Sequence, residues 1–128
     1  MAAISTYLAD KLFNHVLRNE VYTPPAKVYL ALYTTDPTAA GTGTEVSGAG
    51  YARQEIAFDA SASRATSNTA AVEFPKATAN WGTVTHWGLK DADTAGNLLY
   101  FGEVTSPITI NTNNYFKTEA GDLDLSAT

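Results

Sequence analysis

The sequence predicts an all-β fold, either an antiparallel β-sandwich of the jelly-roll kind or a partly open barrel, with one N-terminal α-helix. Two observations support this prediction. From residue 27 onward, apolar residues recur with the period of two that is typical of strands. Residues 4–18 instead show the i, i+4 spacing of an amphipathic helix. We therefore expect a single domain over residues 1–128, with a helix in 1–19 and a β-sandwich in 27–128.

The predicted strands are short apolar runs separated by Gly, Pro, Asn, Asp and Ser. The first run, residues 27–34, is apolar on both faces, as expected of a strand buried between two layers. Further strands are predicted at residues 52–58, 69–74, 83–89, 98–104, 108–110, 115–118 and 123–125. Residues 91–97 are predicted to connect a hairpin, in which Gly96 is free to adopt positive φ. Pro75 and Pro107 are predicted to lie at strand ends.

The predicted helix has an apolar stripe whose function the sequence leaves open. The stripe consists of Ile4, Leu8, Leu12, Phe13, Val16 and Leu17. Asn19 is predicted to end the helix in a left-handed conformation, and Pro24 and Pro25 prevent its continuation. Two interpretations of the stripe follow: the helix covers an open side of the sheet, or the stripe docks onto a neighbouring subunit.

Composition and charge exclude several classes of site. The chain has no cysteine, which excludes disulfides, thiolate nucleophiles and zinc–thiolate sites. Its basic residues stand singly and its net charge is −5, so we expect no nucleic-acid partner. No stretch approaches the ~18 apolar residues of a membrane span, so we expect no membrane partner. Charged residues make up 16% of the chain, and a surface this poor in charge favours contact with other proteins.

No set of residues predicts catalysis, a cofactor or a metal ion. Asp91 and Asp93 begin a run that resembles a calcium loop, but two later ligand positions are occupied by Ala95 and Gly102. His86 could act as a general base oriented by Asp91, yet no G-x-S-x-G motif presents a nucleophile. We therefore expect a plain hairpin turn, a packed strand histidine and a chain that is not an enzyme.

The longest predicted loop, residues 35–50, is the best candidate for a contact element. It consists mainly of Thr, Gly, Ala and Ser, and we expect it to be mobile until a partner orders it. Arg53 could hold Asp36 or Glu45 through a bidentate pair, or it could be an ordinary exposed arginine. Trp81 lies in a polar loop, where an exposed tryptophan would be an interface anchor. The predicted interface residues are Asp36, Glu45, Tyr51, Arg53 and Trp81.

Four stretches of the chain resemble a known family. They are LYTTDPT at 32–38, GTEVSGAGYARQ at 43–54, WGTVTHWGL at 81–89 and AGDL at 120–123. In these stretches, and over nearly its whole length, the chain resembles the small structural proteins of tailed bacteriophages. These proteins include tail-fibre-like proteins and capsid decoration (cement) proteins. The resemblance implies no catalytic residue.

The resemblance implies a virion structural protein, assembled in the host cytoplasm. Short length and the lack of a shaft repeat favour a capsid decoration (cement) protein that stabilises the head lattice. The alternatives are a minor tail or tail-fibre-associated protein and a receptor- or carbohydrate-binding module that uses aromatic side chains. The expected partners are the major capsid protein or other virion proteins, and the chain is expected to form a homo-oligomer.

Overall fold

The computed structural model describes residues 2–126, which are mostly β-structure with one short helix. In chain order the elements are β1 (Ala2–Ile4), α1 (Thr6–Leu17), β2 (Val28–Tyr33), β3 (Gln54–Ile56), β4 (Ala65–Ser67), β5 (Val72–Glu73), β6 (Gly82–Lys90), β7 (Leu98–Ile110), β8 (Lys117–Thr118) and β9 (Asp124–Ser126). The prediction of an all-β fold with one N-terminal helix is confirmed.

The main layer is a five-stranded antiparallel sheet in the order β1-β7-β6-β2-β3. Its centre is the β6–β7 hairpin, in which Trp87 lies opposite Gly102, and β2 pairs with the other edge of β6. The predicted strand 27–34 therefore lies inside the sheet as β2, and four of its six residues are buried. Because β1 and β3 have three residues each, they cover only part of the strands beside them.

The second layer consists of two small antiparallel ladders, β4 with β9 and β5 with β8. Buried side chains of the large sheet and of these ladders form one core cluster. Leu30, Leu32 and Val84 come from the sheet, and Phe74 and Leu125 come from the second layer. The fold is therefore sandwich-like, as predicted, and its sheets are open rather than closed into a barrel.

Strand β7 differs from its prediction. The two strands expected at 98–104 and 108–110 are one strand of 13 residues, and Pro107 lies within it rather than at its end. The pairing with β6 is irregular there, because Glu103 lies opposite His86 while Ile108 lies opposite Val84. Proline is tolerated at such an irregularity because no ladder hydrogen bond is required of its nitrogen.

The N-terminal segment was also predicted incorrectly. Ile4 belongs to strand β1, and the helix begins at Thr6 after the N-cap Ser5, whose hydroxyl accepts a hydrogen bond from the Leu8 amide at 3.1 Å. Ser5 also donates from its amide to the Leu99 carbonyl at 2.9 Å, which fixes the helix start against β7. Strand β4 was missed because its residues are Ala, Thr and Ser, without an apolar alternation. The predicted stop is confirmed, since Asn19 has φ of 58°.

Helix α1 covers the sheet only through its first turn. Tyr7 and Leu8 are partly buried and pack against the core cluster, but no residue of the helix is fully buried. Leu12 is 39% exposed, and exposure rises to 73% at Leu17. The interpretation of the stripe as a cover for the sheet is therefore wrong for the second half of the helix. No helix in residues 2–126 has the length and apolar character needed to cross a bilayer.

Candidate functional site

The long loop, residues 34–53, occupies an edge of β2 that β3 leaves uncovered. The β2–β3 pairing ends where Leu30 lies opposite Gln54, so the last residues of β2 need other partners on that side. The loop returns to supply them: Glu45 forms an isolated bridge with Tyr33, and the Val46 amide donates to the Leu32 carbonyl at 2.9 Å. A loop of small polar residues thus completes the sheet.

At this edge Glu45 and Arg53 form a bidentate ion pair. Nε of Arg53 donates to Oε2 of Glu45 at 2.8 Å, and Nη2 donates to Oε1 at 2.7 Å. The side chains of Arg53 and Glu45 are only 8% and 22% exposed. A planar guanidinium matches a carboxylate in this parallel arrangement, which fixes geometry as well as charge. Of the two interpretations of Arg53, the structure shows the bidentate pair, with Glu45 as the partner, and not an ordinary exposed arginine.

The remaining donors of Arg53 hold the turn between β6 and β7. Its Nη1 donates to the carbonyls of Ala92 and Ala95, each at 2.8 Å. The turn is shaped from within by Asp91, whose carboxylate accepts from the Asn97 amide at 2.7 Å. One guanidinium therefore joins the long loop to the hairpin turn of 91–97. Sequence patterns could not have identified these acceptors, because any residue supplies a backbone carbonyl.

Tyr51 connects this polar pair to the hydrophobic core. Its hydroxyl donates to Oε2 of Glu45 at 2.7 Å and accepts from the Leu32 amide at 3.0 Å. Its ring stacks on Phe74 at 6.0 Å between centroids and meets the edge of Trp81 at 5.4 Å. We call Glu45, Tyr51 and Arg53 the loop clamp, since together they fix the loop to β2, the core and the hairpin turn.

The surroundings of the loop clamp favour the ionised forms of both Glu45 and Arg53. Burial alone would raise the pKa of Glu45, but hydrogen bonds from Arg53 and Tyr51, with the charges of Arg53 and Lys90, lower it below its usual value. The hydrogen bond to Glu45 raises the pKa of Arg53 despite burial. Burial, and then the nearby Glu45 charge, raises the pKa of Tyr33 to about 12. A carboxylate and a guanidinium that are both ionised and mutually saturated are suited to holding structure rather than to transferring protons.

Trp81 does not occupy the position that its loop suggested. It is 7% exposed, its Nε1 donates to the Ala49 carbonyl at 2.9 Å, and its ring packs in the core cluster. The expectation of an exposed tryptophan is therefore wrong. The indole thus holds the long loop at Ala49 from the core side. The same carbonyl also accepts a hydrogen bond from the Thr78 amide at 2.9 Å.

Asp36 is the other predicted interface residue that lies away from the loop clamp. Its Oδ1 accepts from the Thr38 amide at 2.9 Å, so it shapes the start of the loop. Next to it the loop folds tightly on itself: a Cβ on Gly43 would lie 2.6 Å from Cα of Pro37. The structure thus brings together three of the five predicted residues, Glu45, Tyr51 and Arg53. Their role at an interface stays a prediction.

The remaining candidates for chemistry are held in structural contacts. His86 approaches Glu103 at 4.0 Å and its Nδ1 lies 2.8 Å from the Thr85 hydroxyl, while the Asp91 carboxylate is bound to Asn97. The base and orienting group considered from the sequence are therefore not brought together. Among residues 2–126, no three His, Cys, Asp or Glu side chains are grouped so that they could hold a metal ion.

The fold is a small β-sandwich, and the charged groups at the edge of its sheet are satisfied by partners within the chain. The comparison with protein families gives this fold a specific identity. Residues 3–126 match the model of the family described as podophage GP4 fiber I protein gp80, and the chain belongs to that family. No curated protein matches the chain significantly.

Membership of this family confirms the resemblance to small structural proteins of tailed phages. The chain is therefore a bacteriophage structural protein and a component of the virion, where it associates with other virion proteins.

Proposed function

We propose that the chain is a globular component of the tail-fibre apparatus rather than a capsid cement protein. The observation that supports this most directly is the family match, which extends over residues 3–126 and names a fibre protein. A fibre assignment and the absence of a shaft repeat are compatible if the chain forms a compact module at the base or the end of a fibre. Its role is then to present a fixed shape to neighbouring virion proteins.

The loop clamp supports a role that depends on rigidity. Arg53 contacts Glu45 within the long loop and both Ala92 and Ala95 in the hairpin turn, so the loop and the turn cannot move independently without breaking charged hydrogen bonds. An open groove of about 540 Å³ lies beside the clamp and is lined in part by Ser47 and Asp93. A fixed groove at the junction of two connections is a suitable contact surface for a neighbouring virion protein.

Burial of the aromatic residues argues against a carbohydrate platform. Trp81 and Trp87 are both buried, and Phe74 and Phe116 pack edge to face in the core at 5.9 Å. Of the aromatic residues that the structure describes, Phe13 and Tyr115 are the exposed ones, and they are isolated from the groove beside the clamp. Two aromatic side chains line that groove: Tyr51, which stacks on Phe74 in the core, and Tyr29, which is half-buried, so the groove lacks a platform of exposed aromatic faces.

Particle stoichiometry and position test the proposal. We expect quantitative mass spectrometry of purified virions to give a few to tens of copies, and antibody-linked gold to label the tail. Virions that lack the chain should keep intact heads and adsorb poorly to host cells. Hundreds of copies, gold on the head, and heads that break when the chain is missing would instead establish the cement role. The control for labelling is a virion complemented with a chain that lacks the antibody epitope, which should carry no gold.

A further inference from the structure

The second half of α1 exposes an apolar patch that the body of the protein does not cover. The patch consists of Leu12, Phe13, Val16 and Leu17 on the helix and Val21 just after it. Phe13 is 63% exposed and Val21 is 92% exposed. Together these side chains present on the order of 500 Å² of apolar surface, at the upper end of what monomeric soluble proteins leave contiguous.

Most of the patch faces away from the buried side of the helix. At 3.6 residues per turn, Leu12, Phe13, Val16 and Leu17 fall within an arc of about 140°. Leu8, which packs against the core, lies about 40° from Leu12, whereas Phe13 and Leu17 lie about 140° and 180° away from Leu8 around the helix. Helices of about 12 residues are marginal in water without packing on one face. The sequence therefore maintains a face that the monomer does not use.

We propose that this helix patch binds the same patch on a second copy of the chain. Two patches in contact would bury on the order of 1,000 Å², which is the threshold for a specific, weak interface, and α-helices can pack through such stripes. This inference names a partner within the proposed fibre role and rests on that role only for its biological setting.

Charge favours a second copy over a partner held by ion pairs. Segment 6–21 contains Asp10 and Glu20 against Lys11 and Arg18, so its net charge is zero while the whole chain carries −5. Arg18 and Glu20 are paired with each other at 3.0 Å. Two copies that each carry −5 repel each other, and this repulsion is smallest when they meet at the uncharged helix patch.

Sedimentation equilibrium of the purified full chain tests this proposal. We expect reversible self-association with a Kd on the order of tens of micromolar, as suits a small apolar interface. Association should strengthen as salt screens the repulsion between copies, whereas an interface of ion pairs would weaken. A chain that stays monomeric at millimolar concentration would overturn the proposal and assign the patch to a different virion protein.

Matched charge substitutions locate the contact. Phe13→Glu should raise the Kd at least about thirtyfold, the effect of losing a central aromatic anchor. Lys11→Gln changes the charge of the same helix by the same amount about 160° away from Phe13 and should leave the Kd within about threefold. Equal weakening by both variants would mean that copies meet elsewhere, which contradicts the proposal. Because these measurements use the isolated chain, their failure leaves the position of the protein on the virion unaffected, and the reverse also holds.

Discussion

The loop clamp and the helix patch differ in how residue type relates to burial. In the loop clamp, Glu45 and Arg53 are charged, yet each is directed into the chain and fully engaged by partners there. In the helix patch, Phe13 and Leu17 are apolar, yet both are largely exposed to solvent. From residue type alone the reverse would be expected, with the charged loop as the surface element and the apolar helix as the core element.

This difference identifies which element is available to a partner. The ion pair of Glu45 and Arg53 would gain little from a new partner of its own, because its existing hydrogen bonds would have to be broken first. An exposed apolar helix face gains from any contact that removes it from water. The long loop is held to the rest of the chain by the Val46 amide and by the Ala49 carbonyl, and its mobility in the free protein stays a prediction. We therefore expect the helix patch to carry self-association, while the groove beside the loop clamp serves as the contact surface for a neighbouring virion protein.

The largest expected effect on stability comes from removing a buried aromatic side chain, compared with an exposed one. Trp81→Ala should lower the free energy of unfolding by about 3–5 kcal/mol, because it leaves a cavity and frees the loop at Ala49. Phe13→Ala also removes a ring, but from an exposed position, and should change it by no more than about 0.5 kcal/mol. Urea unfolding measures both. If Trp81→Ala left stability intact and only prevented incorporation into virions, Trp81 would be an interface anchor after all.

The next effect tests whether the loop clamp stabilises the fold. Arg53→Ala should cost about 2–4 kcal/mol in urea unfolding, since it leaves the Glu45 carboxylate poorly solvated and unpaired. Arg18→Ala breaks a pair whose side chains are 66% and 50% exposed and should cost less than about 1 kcal/mol. Similar losses in the two variants would show that the clamp is no more than a surface pair.

A smaller effect is expected where the loop folds on itself. Gly43→Ala should cost about 1–3 kcal/mol, because the new methyl group would meet the backbone of Asp36 and Pro37 at 2.6–2.7 Å. Ser47→Ala, at an exposed position of the same loop, is the control and should be nearly neutral. Hydrogen exchange at the Val46 amide should rise in the Gly43 variant alone. Unchanged exchange there would mean that the loop tolerates the methyl group by a local shift.

The smallest expected effect is on the stability of the protein at acidic pH. Because the pKa of Glu45 is lower in the folded chain than in the unfolded chain, its contribution is present above the unfolded value and is lost as the pH falls through the folded value. Stability should therefore fall below the ordinary carboxyl pKa of 4.5, and Glu45→Gln should flatten that part of the profile. Glu73→Gln, on the exposed side of β5, should reproduce the wild-type curve. An unaltered acid profile for Glu45→Gln would contradict the lowered pKa.

Much of the fold could be predicted from local patterns. The strand at 27–34 and the hairpin around 91–97 are predictable because their signals are local. The strand is a continuous apolar run, and the hairpin contains a glycine that can adopt positive φ, as Gly96 does. The failures also have physical causes. Ile4 fits both a helical stripe and a strand, and its pairing with Tyr100 of β7 involves residues nearly a hundred positions away. Strand β4 has no apolar pattern, and only its pairing with β9 makes it a strand.

The candidate site was predictable in part. Arg53 lies at the end of a loop that contains two acidic residues, Asp36 and Glu45. The sequence therefore limits the acidic partners of Arg53 within the loop to these two, but it does not choose between them. The choice is made by the return of the loop along β2, which brings Glu45 opposite Tyr33. Trp81 was misplaced because a polar loop sequence indicates exposure, whereas the core below that loop has space for an indole.

The sequence by itself determined the β-rich class, the helix stripe, the family and the absence of thiol chemistry, because these depend on residue types and their spacing. Only the tertiary structure decided which direction each element faces. Whether Arg53 reaches Glu45, and whether Phe13 is covered or exposed, depends on contacts between segments that are distant in the chain. Such contacts follow from the packing of the whole core, since a side chain is buried only if another part of the chain arrives to cover it.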